Sequence, residues 1–162
     1  MKIGCVLMFV ALMSGCSTFG SSDANMTPDQ MWAKGKQQSQ KGEDIVTASQ
    51  EKLSNGQRNV REGESLIADG TNLIEKSRLD YKKASEKVGK SSKPDQVAYE
   101  ADQFKRIAGR WESGVDKIKD GKNLIKKGNK TIKASQDEIF KGRALIDAGS
   151  QLMINSQTTT SN

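Results

Sequence analysis

The sequence predicts an all-α protein that forms a long antiparallel two-helix coiled-coil hairpin. Small residues, most of them glycine, recur every seven positions in two separate series. An apolar residue stands four positions after almost every one of them, which places both sets on one side of a helix. A polar segment at 89–94, which contains glycine and proline, interrupts this pattern once, as a connection between two helices would.

The beginning of the first helix is marked by Thr27, Pro28 and Gln30. Threonine can cap a helix, proline suits the first helical position, and glutamine three residues after the cap completes a capping box. The second helix has a comparable start at Ser92, with Asp95 three residues on. We therefore predict helices over about 28–88 and about 94–155, which together form a hairpin over 28–156, and a disordered polar tail over 157–162.

The small residues define position a of a heptad abcdefg. Those that are glycine, and that we predict to pack the two helices together, are Gly35, Gly42, Gly56, Gly63, Gly70, Gly114, Gly121, Gly128, Gly142 and Gly149. Position e is apolar from Trp32 to Val88 and from Val97 to Met153, with Ser39 as the clear exception. A strict seven-residue repeat predicts a left-handed supercoil.

Glycine inside a helix needs a compensating reason. Each one costs about 1 kcal/mol of helix stability relative to alanine, so the summed cost of ten glycines is comparable to the stability of a whole domain. Glycines that serve only flexibility would not keep a heptad phase. The fixed spacing therefore predicts a glycine and small-residue zipper, in which missing side chains let a second backbone approach closely.

The residue types present exclude much chemistry. The chain has no histidine, and its two cysteines both lie near the N-terminus. A histidine-based or cysteine-based nucleophile and a histidine or cysteine metal site are thus excluded from the predicted hairpin. The glycines are seven apart and do not form a phosphate-binding loop. We expect no enzyme activity, no catalytic residues, no metal and no cofactor.

The first residues have the layout of a bacterial secretory signal. Lys2 precedes an uncharged apolar run at 3–13, which is too short to span a bilayer, and Met13-Ser14-Gly15-Cys16 follows. This segment resembles the lipobox of bacterial lipoproteins. The resemblance implies a signal peptide at 1–15, a lipid on Cys16, and a lipidated N-terminus and linker at 16–27. The alternatives are an ordinary secretory signal with a chance cysteine, and a buried N-terminal helix.

The same resemblance implies a location. Ser17 follows the lipid cysteine, as in many lipoproteins that are sent to the outer membrane of Gram-negative bacteria. The resemblance therefore implies a protein that is anchored in the cell outer membrane by lipid and faces the periplasm.

Basic residues cluster where the two predicted helices meet. The cluster consists of Lys82, Lys83, Lys87, Lys90 and Lys93. One interpretation is a solvated surface, and the other is contact with an anionic envelope surface such as peptidoglycan. Nucleic acid is not an expected partner, because no aromatic residues interleave with these lysines to stack on bases.

Two functions remain. The first is a non-enzymatic structural spacer, tether or scaffold, anchored to the membrane of the cell envelope by its lipid. The alternative is a helical binding module or accessory subunit that joins a larger envelope or secretion assembly through its shaft. For that alternative the wider apolar stretches at 66–74 and 145–154 would receive further helices, from another envelope protein or from a second copy.

Overall fold

A computed structural model describes residues 26–90 and 93–160, and these residues form two long helices. Helix α1 runs over Pro28–Ser85 and helix α2 over Pro94–Thr160. The two helices pack against each other along their length as a hairpin, which confirms the predicted all-α fold. The predicted signal peptide, Cys16 and most of the predicted linker lie outside the described residues.

The start of α1 is the predicted capping box. The Thr27 hydroxyl accepts a 3.3 Å hydrogen bond from the Gln30 backbone N–H, and the Gln30 side-chain oxygen accepts a 3.0 Å bond from the Thr27 backbone N–H. Both bonds satisfy backbone donors that a helix start would otherwise leave free. At the other end α1 stops at Ser85, three residues before the predicted 88, and a turn over 86–89 follows. Gly89 closes this turn with φ of 77°, a left-handed conformation that favours glycine.

The end of α2 differs from the prediction. The helix continues to Thr160, so residues 157–160, which we expected to be disordered, are helical. Neither glycine nor proline follows Ser156 to stop the helix, and the hydroxyls of Thr158 and Thr159 donate 2.9 Å bonds to the Asn155 carbonyl. At 1.5 Å per residue, the 58 residues of α1 extend over about 87 Å.

The register of the two helices places small residues opposite small residues. Facing pairs along the hairpin are Gly35 with Gly149, Gly42 with Gly142, Gly56 with Gly128, Gly63 with Gly121, and Gly70 with Gly114. Each step of seven residues along α1 is matched by a step of seven back along α2. The antiparallel partners therefore stay in phase from one end of the hairpin to the other.

The core is made of backbone and very small side chains. Every position a from Gly35 to Ala84 and from Ile107 to Ser156 is buried, and the only buried hydrophobic side chains among the described residues are Ala84 and Ile107. The apolar residues at positions d and e are mostly half-buried instead. The helices are consequently held by close backbone contact, flanked by side chains that remain partly open to solvent.

Candidate functional site

At each position-a glycine, the backbone of the facing helix lies in the space that a side chain would occupy. A Cβ built on Gly63 would lie 2.5 Å from the carbonyl oxygen of Gly121 and 2.8 Å from Cγ1 of Ile125. A Cβ built on Gly121 would meet the Gly63 carbonyl oxygen at 2.5 Å and Ile67 Cγ1 at 2.8 Å. Such distances are too short for a real side chain, so even alanine would force the helices apart. All ten glycines that we predicted to pack the helices have contacts of this kind.

Position e of both helices lies on the same face of the hairpin. The rings of Tyr81 and Phe104, both at position e, make an edge-to-face contact with centroids 5.6 Å apart. Position b borders this face, because the guanidinium of Arg78 lies over the Trp111 ring. We call the surface formed by positions e and b the apolar face. Among its position-e residues from Trp32 to Met153 none is charged.

Position d of both helices lies on the opposite face, where charged residues are interspersed with apolar ones such as Leu66 and Leu145. Lys52 pairs with Glu138 at 2.9 Å, and Arg110 pairs with Asp80 at 2.7 Å, and all four residues occupy position d. Position g borders this face. We call the surface formed by positions d and g the charged face. The two faces differ most at their borders, because position g is richer in charge than position b. The predicted apolar stretches at 66–74 and 145–154 are divided between the two faces, with Leu66, Leu73, Leu145 and Leu152 on the charged face.

A small polar cluster sits on the charged face, nearer to the start of α1 than to the tip. The Glu138 carboxylate accepts 2.9 Å hydrogen bonds from both the Lys52 ammonium and the Ser49 hydroxyl. The bond from Lys52, then that from Ser49, and the nearby charge of Lys141 lower the pKa of Glu138 below its usual range. These contacts tie α1 to α2, so the cluster helps to fix the helix register. Its residues line a small open cleft of about 300 Å³ together with Ile45 and Ala48.

The charged face opens into a groove close to the tip, by which we mean the end of the hairpin that carries the connection 86–93. The groove encloses about 770 Å³. Four cationic side chains line it, Lys83, Lys87, Arg106 and Arg110, together with one carboxylate, Asp80. Because Arg110 neutralises Asp80, the groove keeps a clear excess of positive charge. We call it the cationic groove.

The five lysines predicted to contact an anionic surface are exposed and lie at the tip. Only Lys83 and Lys87 line the cationic groove. Sequence reasoning missed the groove's two arginines. Arg106 and Arg110 are about twenty residues from these lysines along the chain, and they join them only because α2 folds back in one particular register.

The apolar face has three of its four position-e aromatic side chains close to the tip, and Trp32 lies at the opposite end. Tyr81, Phe104 and Trp111 line a shallow depression near the tip with Arg78 and Ala108 at its edge. Tyr81 is 53% exposed and Trp111 is 37% exposed, so both rings are open to contact. Exposed aromatic rings bordered by Arg78 and Glu112 are chemically suited to contact with another protein surface.

Three further observations bear on what this molecule can do. In 26–90 and 93–160, no group of acidic residues is arranged to hold a metal ion. The helices of that same part of the chain are too polar for any of them to cross a membrane. Comparison with protein-family models, with curated proteins and with solved structures finds no match to this chain.

Proposed function

We propose that this protein is a non-enzymatic spacer or tether of the bacterial cell envelope, anchored to the outer membrane by a lipid on Cys16 and facing the periplasm. The lipobox-like Met13-Ser14-Gly15-Cys16 supports the anchor. A hairpin about 87 Å long supports the role of spacer, because Pro28 and Ser156 lie together at the end opposite the tip. Stable attachment would need two acyl chains or more, as a lipidated N-terminal cysteine provides.

The cationic groove is the observation that carries this proposal furthest. It gathers four cations from α1, the turn that follows α1, and α2, at the end of the rod that is remote from the anchor. An anionic polymer of the envelope, such as peptidoglycan, is the partner that this charge favours. The rod would then hold the membrane and the polymer a fixed distance apart, and the contact would weaken as salt screens it.

Binding to purified cell wall tests the tip. The wild-type protein should sediment with cell wall at low salt, and the variant Lys83→Gln/Lys87→Gln/Arg106→Gln/Arg110→Gln should stay in solution. The matched control removes four charges from the outer side of α2, as Lys119→Gln/Lys126→Gln/Lys130→Gln/Lys133→Gln. A third variant changes Lys82, Lys90 and Lys93 to Gln, and it measures the tip lysines outside the groove. Failure of the wild-type protein to sediment at low salt would end the tether proposal.

Fractionation of cells tests the anchor. Cys16→Ala should leave the precursor uncleaved by the lipoprotein peptidase, whereas Cys5→Ala, inside the predicted signal, should be processed normally. If Cys16→Ala protein is still cleaved and still found with membranes, Cys16 does not carry the anchor.

The alternative function, a helical module that joins a larger envelope assembly through its shaft, is favoured by a separate observation. The apolar face runs along the shaft and offers half-buried residues such as Ile67 and Ile125. This reading predicts that another envelope protein is recovered with the hairpin in stoichiometric amount, and that recovery is lost when the apolar face is changed.

A further inference from the structure

The apolar face is large enough to be a protein interface. It is a strip about 10 Å wide, the diameter of a helix, along about 87 Å of rod, or about 870 Å². A stable dimer of standard size buries about 800 Å² from each partner. Six of the exposed large hydrophobic residues lie on this face: Trp32, Tyr81, Val88, Val97, Trp111 and Val115.

The edges of this face are formed by fourteen position-b residues, and the arrangement of the charges among them is informative. Positions b from 36 to 78 on α1 and from 108 to 150 on α2 contain six charged residues in total: Lys36, Glu43, Glu64, Arg78, Lys122 and Arg143. The cations Lys36 and Arg78 lie over the rings of Trp32 and Trp111. The other four make no ion pair in the part of the chain that the structure describes.

These four charges lie on opposite edges of the apolar face, the two acids on α1 and the two bases on α2. Each acid is at nearly the same position along the rod axis as one base. Gly63 faces Gly121, so Glu64 on the α1 edge and Lys122 on the α2 edge differ in height by about two residues, or about 3 Å. Gly42 faces Gly142, and Glu43 and Arg143 have the same relationship. Between them, Gln50 corresponds to Gln136 and Gln57 to Asn129. Acids thus correspond to bases, and amides correspond to amides.

We propose that the apolar face is the interface of a parallel dimer, in which a second copy of this chain packs its own apolar face against it with both tips at the same end. A two-fold axis along the rod brings the α1 edge of each copy against the α2 edge of its partner. Glu64 then meets the partner's Lys122, and Glu43 meets the partner's Arg143, twice each by symmetry. The eighteen position-e residues of each copy close a four-helix core.

An antiparallel dimer would not have this complementarity. A two-fold axis across the rod stacks α1 on α1 and α2 on α2, so the α1 edge with Glu43 and Glu64 meets its own copy. The α2 edge with Lys122 and Arg143 likewise meets its own copy. Unpaired or like charges at an interface oppose association, so the edges select the parallel arrangement. The parallel arrangement also keeps both N-termini at one end, where two lipid anchors could share a membrane.

Charge reversal tests the interface and its direction together. Full-length lipidated protein is studied in an excess of detergent micelles by analytical ultracentrifugation, with two differently tagged copies for capture. The wild-type protein should be a dimer. Glu64→Lys places like charges together twice and should raise the dissociation constant about tenfold or more, as should Lys122→Glu. Both sites are exposed in the hairpin, and circular dichroism checks that each variant is folded.

Mixing the two variants gives the decisive comparison. In a parallel dimer, one Glu64→Lys copy and one Lys122→Glu copy restore an acid–base pair at both edges, so the mixed dimer should form at concentrations where each variant alone is largely monomeric. Glu62→Lys, at position g on the charged face, is the matched control and should dimerise like the wild type. A monomeric wild-type protein, recovery of a different protein on this face in place of a second copy, or a mixture that fails to associate would overturn the proposal. None of these results affects the cell-wall assay, so the tether proposal stands or falls separately.

Discussion

The Ser49 hydroxyl donates a 2.9 Å hydrogen bond across the helix pair to the Glu138 carboxylate, which the Lys52 ammonium also contacts at 2.9 Å. Residues 49 and 135 both occupy position a, but only Ser49 has such a partner. In the described residues, the hydroxyls of Ser135 and Ser77 are buried with no hydrogen-bond partner. A hydrogen bond from a position-a side chain thus links the helices within a core that is made mostly of backbone and very small side chains.

This contact makes stability depend on pH. Because the pKa of Glu138 is lowered from 4.5 in the folded protein, its contribution to the free energy of unfolding is fully present above that value. The contribution disappears as pH falls through the lowered pKa. Glu138→Gln should therefore be less stable than the wild type near neutral pH, and the difference should shrink in strong acid. Urea unfolding at a series of pH values measures this, with Glu62→Gln as control. A difference that is constant across the series would contradict the assigned role.

Alanine substitution should have opposite effects on stability at the hydrogen-bonded and at the unpaired buried hydroxyls. Ser135→Ala and Ser77→Ala remove an unsatisfied polar group without adding volume, and we expect each to raise the free energy of unfolding by about 1 kcal/mol. Ser49→Ala removes a made hydrogen bond and should lower it by about 1 kcal/mol. Thermal and urea melts of the three variants provide the comparison. Equal effects at Ser49 and Ser135 would show that the bond to Glu138 contributes nothing.

The glycine contacts should resist larger side chains. Gly63→Leu and Gly121→Leu improve helix propensity by about 1 kcal/mol each, yet they place bulk against a facing carbonyl. We expect a net loss of about 2 kcal/mol or more in the free energy of unfolding. Lys76→Leu, at an exposed position, should be nearly neutral. If both glycine variants melt above the wild type, close backbone packing is not what holds the hairpin together.

One glycine offers an internal reference. Gly109 is inside α2 but off the contact stripe, and a Cβ built there meets nothing within 4 Å. Gly109→Ala should thus raise the free energy of unfolding by about 1 kcal/mol, the ordinary gain in helix propensity. Gly121→Ala, the same change at a close contact, should lower it. A thermal melt in which the two variants shift in the same direction would show that propensity outweighs packing.

Sequence periodicity was sufficient to predict two helices and the buried stripe of small residues, and the single short connection at 89–94 predicted their antiparallel pairing. Periodicity was insufficient for the register, because a slide of seven residues still sets small residues opposite small residues. Specific side chains distinguish these alternatives. In the observed register Lys52 faces Glu138 and Asp80 faces Arg110, whereas a slide of one heptad would set Lys52 against Thr131 or Leu145.

The candidate site depends on that register, which is why the sequence predicted only part of it. Lysines close together in the chain are visible as a cluster, but Arg106 and Arg110 join Lys83 and Lys87 only through the fold. The two faces could not be predicted either, because a heptad pattern does not show that position e of one helix lies beside position e of the other. The contact between Tyr81 and Phe104 reveals it.

Because each step of seven residues on α1 is matched by one on α2, the hairpin can be shortened or lengthened by whole heptads. Removal of residues 57–63 and 121–127 would delete one facing glycine pair and leave Gly56 opposite Gly128 and Gly70 opposite Gly114. Every other residue would keep its heptad position, and the hairpin would shorten by about 10.5 Å. Insertion of a heptad in each helix would lengthen it by the same increment. The length of the hairpin can therefore change in steps of one heptad. Gain or loss of one whole heptad in each helix would change the distance that the hairpin spans and keep the same kind of contact between the helices.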